Sequence, residues 1–127
     1  MTKHYLAKII AKDHQGLQMI SAYCAEAKVN IQEEKYINKN KIFLISLERF
    51  SLETEKKKII NSICKFEFID NVKSKNINQN DKNLVLDLIG IDILKNKDKY
   101  EINLIFSKNA HIILSTEIIE VTLEDQY

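Results

Sequence analysis

Apolar positions recur with a period of two along much of this chain, which is organised around the stretch from Ile31 to Phe50. From Ile42 to Phe50 only Ser46, Glu48 and Arg49 are polar. On a strand, successive side chains take opposite faces, which sets Phe43, Ile45, Leu47 and Arg49 on one side. Ile42, Leu44, Ser46, Glu48 and Phe50 take the other. Ile31–Phe50 therefore reads as two extended arms joined by the polar turn Asn38-Lys39-Asn40-Lys41. That turn places Ile37 opposite Ile42 and Tyr36 opposite Phe43, with asparagine supplying the positive φ that tight turns require.

The same pattern organises the rest of the chain. Tyr5 to Ala11 reads as a first strand. Asp13 stands where a helix N-cap belongs, and Leu17, Ile20, Cys24 and Ala27 recur at helical spacing, predicting a helix from His14 to Ala27. Gly16 in its first turn costs up to ~1 kcal/mol relative to alanine. Ser51 to Lys58 has too few apolar residues to dock and reads as an exposed connection. From Ile60 the alternation runs through Ser62, Cys64, Phe66 and Phe68 to Val72 and Ser74. One long bent strand is preferred there over two strands turning at Asp70-Asn71, because Asp-Asn without glycine is a poor turn signal.

Asn76 to Asn83 is the most polar stretch and reads as a loop. Leu84 to Leu94 is nearly all apolar, as expected of a central strand buried on both faces, and its phase slips at Gly90, the mark of a β-bulge. Asn96 to Lys99 and Ser107 to Ala110 are turns flanking a strand built on Tyr100, Ile102, Leu104 and Phe106. His111 to Leu123 reads as a closing strand that changes phase near Ile118-Ile119, with Glu124 to Tyr127 frayed. The expected fold is α+β and a single domain over residues 1–127. A curled, largely antiparallel sheet or partly open barrel of six or seven strands is wrapped on one main helix, in the order strand, helix, strands.

Composition adds exclusions. At 127 residues the chain buries a core of its own, with no disulfide or metal needed. Its net charge of +1 sets up no large field for nucleic acid or an anionic membrane. Two glycines build neither a P-loop nor a dinucleotide-binding turn. No apolar run approaches the ~20 residues that span a bilayer, and Met1 to Tyr5 lacks the character of a secretion signal. Two cysteines, Cys24 and Cys64, fit reduced thiols in the cytoplasm.

Several short stretches together resemble a bacterial family known as a domain of unknown function, number 2948. They are Ile20-Ser21-Ala22 with Glu26-Ala27, Tyr36, Lys41, Phe43, Leu47, Arg49-Phe50, Phe66-Glu67 and Ile77. The chain departs from that pattern at Asn38, where the family has a proline, and at Gly16, where it often has an acid. The resemblance implies a shared fold and a cytoplasmic location. It brings no established activity, and only a housekeeping context near cell-wall precursor and histidine biosynthesis enzymes.

Arg49 is the chain's one arginine, in a sequence that uses lysine for every other fixed positive charge. Its planar fork suits carboxylates and phosphates, and its place on an apolar face calls for a partner. Two readings stand: an internal ion pair or carbonyl clamp, with Glu33, Glu34 and Glu67 the acids in reach, or the pocket of a small anionic-ligand-binding protein or enzyme. Arg49, Tyr36, Glu34 and Glu67 are the candidate ligand-binding residues of that second reading. His14, His111 and His4 form no close set, so no metal or cofactor is expected. Cys24 and Cys64 read as small core residues. Lys56-Lys57-Lys58 and Lys95-Asn96-Lys97 lack the interleaved aromatics of a nucleic-acid surface, which makes a weak nucleic-acid binder the last alternative. The leading expectation is a non-enzymatic module that binds another protein or itself as a homodimer.

Overall fold

A computed structural model describes residues 8–51 and 58–126. The elements run β1 (Lys8–Ala11), α1 (His14–Tyr23), β2 (Ala27–Asn30), β3 (Lys35–Ile37), β4 (Ile42–Ser51) and β5 (Lys58–Phe66). They continue with β6 (Ile69–Lys75), β7 (Val85–Asn96), β8 (Lys99–Phe106), β9 (His111–Thr116) and β10 (Val121–Asp125). All pairings are antiparallel, in the order β1-β10-β5-β4-β2-β7-β8-β9-β6, with β3 also on β4. This open sheet has ten strands where six or seven were expected, and α1 is the one α-helix among the described residues.

The extra strands come from three places. The predicted helix ends at Tyr23, and Ala27 opens β2, because Glu26 turns the backbone with φ 66°. The segment predicted as one bent strand from Ile60 breaks into β5 and β6 at Glu67-Phe68, where Phe68 has φ 61°. That is three residues ahead of the rejected Asp70-Asn71 turn, and the two halves pair with different partners. The closing segment likewise splits into β9 and β10 around the phase change at Ile118-Ile119. In a chain so poor in glycine, left-handed positions fall to Glu26, Lys41, Phe68, Asn76, Lys97, Lys108 and Asn109, at a cost of roughly 1–2 kcal/mol each for ordinary residues.

Other expectations hold in detail. Tyr36 pairs with Phe43 and Ile37 with Ile42, although the positive φ of that turn belongs to Lys41 rather than an asparagine, and Ile31–Glu33 is a turn of 3-10 helix rather than strand. Asp13 caps α1 by accepting from the Gly16 amide at 2.7 Å. A Cβ at Gly16 would lie 3.1 Å from Ala11, so the glycine lets the helix start close against β1. The bulge predicted at Gly90 is present: register shifts between Leu88 and Gly90, and the displaced Ile91 amide donates to Ser21 Oγ on α1 at 2.8 Å. β7 is central but buried on one face only, with Val85, Ile89 and Leu94 exposed on the other. Tyr5 to Ala7, and the connection expected at Ser51 to Lys58 apart from its ends, lie outside the described residues.

The sheet bends. Along the strand order β6 is five places from β4, ~24 Å in a flat sheet. Yet the Ile69 amide of β6 donates to the Lys41 carbonyl at 2.8 Å, and Tyr36 Oη donates to the Ile69 carbonyl at 2.6 Å. The corner is at β2, which meets β4 through a single pair, Lys28 with Glu48. Phe43, Phe66 and Leu123 from one arm and Leu88, Ile102, Phe106 and Leu114 from the other thereby share one core with Leu17 and Ile20 of α1.

Candidate functional site

Arg49 ends the buried face of β4, and burial there removes its guanidinium from water, leaving it 4% exposed. A charge so placed needs a matched partner. It finds Asp125 on β10, two strands away: Nε donates to Oδ1 at 2.8 Å and Nη2 to Oδ2 at 2.6 Å, a bidentate fork. Ser62, on the intervening β5 and in register with both Leu47 and Asp125, donates to the same Oδ1 at 2.6 Å. The Tyr23 ring, at the end of α1, lies 5.5 Å from Arg49 Cζ. This clasp joins α1, β4, β5 and β10. It corrects the expectation of a frayed end beyond Leu123, since Asp125 is 4% exposed and the Gln126 amide donates to the Asn61 carbonyl at 2.7 Å.

The other three candidates gather at the opposite end of β4. Tyr36 faces Phe43, six residues or ~20 Å along the strand from Arg49. Glu67 directly follows Phe66, which also pairs with Phe43, and Glu34 stands just ahead of β3. The fold thus brings Tyr36, Glu34 and Glu67 to one end of the strand and Arg49 to the other. Glu34 is half-buried and its Oε2 has no hydrogen-bond partner among the described residues; burial raises its pKa above the usual carboxylate value. Glu67 and Glu120 are bridged by their backbones, the Glu67 amide donating to the Glu120 carbonyl at 3.0 Å. Their side chains sit together, so a hydrogen bond to Glu120 raises the Glu67 carboxyl, with desolvation adding to it and Lys65 opposing.

Sequence reasoning missed Asp125, Ser62 and Tyr23. Ser62 had a legible signal, as a polar residue on the core face of β5; Asp125 had none beyond being an acid near the end of a strand.

The two cysteines lie beside the clasp. Burial pushes the Cys24 thiol up to about 12, with Arg49 pulling it down and Asp125 pushing it up. Burial also lifts Cys64 well above its ordinary value. Both thiols stay protonated at neutral pH, so neither supplies a thiolate nucleophile. His111 Nδ1 lies 3.2 Å from Asn103 Oδ1, and His14 at the start of α1 lies 3.4 Å from Gln18 Nε2.

Over the clasp, on the opposite face of the same strands, lies a groove of about 540 Å³. It opens where β2 and β4 part after the Lys28–Glu48 pair. Ser46, Asn61 and Gln126 present hydroxyl and amide groups, Glu33 and Glu48 carboxylates, and Ile63 an apolar patch. Lys28 on its wall is paired with Asp87. Because Ser62 and Gln126 line this groove, the clasp beneath fixes its floor.

Among the described residues, fold and site define a small, open, antiparallel β-protein with one α-helix, a buried arginine clasp and a groove above it. The chain belongs to the family described as protein of unknown function (DUF2948), whose sequence profile matches residues 7–127. Neither a curated protein nor a solved structure matches it. No helix among the described residues is long and apolar enough to cross a membrane.

Proposed function

We propose that this protein is a non-enzymatic module that recognises another protein chain, a second copy of itself included, through the groove above the Arg49–Asp125 clasp. The observation that carries the reading is the parting of β2 from β4 at the sheet's corner, which leaves a rigidly floored trough. Ser46, Asn61 and Gln126 each donate and accept, which suits the alternating amide and carbonyl groups of an extended polypeptide. Glu33 and Glu48 favour a basic side chain in that segment, and Ile63 an apolar one. The protonated, buried thiols support a binding role over nucleophilic catalysis, and two unlinked cysteines support a reducing compartment, the cytoplasm.

Sedimentation equilibrium at high micromolar concentration tests self-recognition. A species heavier than 14.8 kDa that reverts to monomer in Ser46→Arg supports it. A wild-type monomer removes self-recognition and leaves a foreign partner. A photo-crosslinking residue at Asn61 then decides: one defined protein adduct, lost in Ser46→Arg, sustains the reading, and its absence ends it.

A further inference from the structure

A second cleft, also of about 540 Å³, lies away from the groove, between Lys12, Lys95 and Tyr100. Four parts of the fold converge on it: the link from β1 to α1, β7, β8 and the link from β9 to β10. We propose that this cleft is a binding site for a small organic anion with a flat, apolar body, of the class of an aromatic carboxylate.

Three features carry the assignment. Its walls are hydrophobic where a cleft holds water unfavourably: Ile93 and Ile119 line it, and Ile118 stands 55% exposed beside them. The Tyr100 ring supplies a flat stacking surface, and Lys95 Nζ lies 5.9 Å from its centroid, so a ring and a cation are already placed together. The positive groups are available at the rim. Lys12 makes only a long 3.7 Å pair with Glu120. Asp13, whose carboxylate accepts from the Gly16 amide, and Glu117 are the acids on the lining. An apolar body against the isoleucines and Tyr100, with its carboxylate toward Lys12 and Lys95, uses all three features. A neutral body uses only two.

The test is a titration of the full ¹⁵N-labelled chain with salicylate, set against benzyl alcohol as the neutral probe and followed by amide shifts. Saturable shifts confined to Lys12 to His14, Ile93 to Lys95, Tyr100 and Glu117 to Ile119 support the site. Salicylate should bind roughly fivefold more tightly than benzyl alcohol, and Lys95→Gln should weaken it by a similar factor, the size of one exposed ion pair. Ile118→Asp, a change at an exposed position, should weaken both probes and leave the thermal midpoint nearly unchanged. Shifts spread over lysines throughout the sheet, equal affinity for the two probes, or no saturation would each overturn the proposal.

Discussion

At one end of β4 the Arg49 guanidinium is buried against two carboxylate oxygens, with a serine hydroxyl on the same carboxylate. Some four residues, ~13 Å, back along β4, Glu34 has a buried oxygen that meets no hydrogen-bond partner among the described residues. Both are ionisable groups withdrawn from water by one hairpin, and they have opposite consequences. At the Arg49 end geometry compensates desolvation, so breaking the arrangement is costly. At the Glu34 end the desolvation is uncompensated, so removing the charge should help. Burial of a charge therefore says little about stability until its partners are counted.

The largest effect belongs to the matched end. Asp125→Ala removes the carboxylate that the buried guanidinium grips in a bidentate fork and should destabilise the chain by about 3–5 kcal/mol in urea unfolding. The double variant Arg49→Met with Asp125→Leu should recover most of that loss, since a well-packed apolar pair of similar volume often matches a buried ion pair. Failure of the double variant to recover would mean that the clasp contributes more than its own charge balance. At the other end, Tyr36→Phe removes one of the two hydrogen bonds that tie Ile69 of β6 to the start of β4, and about 1 kcal/mol should be lost.

Glu34→Gln should move stability the other way, raising it by about 1 kcal/mol at pH 7. Burial raises the native pKa of Glu34 above its unfolded value. Its contribution to stability is therefore full below the unfolded value and is lost as pH climbs through the raised native one. The advantage of Gln should accordingly shrink as pH is lowered toward the ordinary carboxylate range, which unfolding curves at several pH values would reveal. Glu67→Gln follows the same sign, because its raised pKa also marks a penalty on the charged form. Lying only partly buried at the surface, it should gain only roughly a few tenths of a kcal/mol near neutral pH, less in high salt.

What could be read from the sequence follows the same division between near and far. The Tyr36–Phe43 pairing, the Asp13 cap and the Gly90 bulge are consequences of neighbours in the chain, and alternation or a single residue type reveals them. The breaks at Glu67-Phe68 and near Ile118 were harder to see. A strand that leaves one partner for another can keep its apolar residues almost in phase, and Phe68 gives no turn signal although its φ is 61°. Arg49 was legible as a charge in need of a partner, because it stands on an apolar face. Its partner was not, since Asp125 is 76 residues away and adjacency in a sheet order leaves no local trace. The acids considered near in sequence, Glu33, Glu34 and Glu67, were passed over for one near only in space.

The place of β10 has a consequence for how the molecule is made. It lies between β1 and β5, so the sheet receives an inner strand only when residues 121–125 have left the ribosome. Until then a nascent chain carries two unzipped edges and a hydrated Arg49 awaiting its counter-charge. Synthesis of the earlier strands cannot close the structure ahead of time, and a translation pause just before Val121 would lengthen the interval in which chaperones can engage those edges.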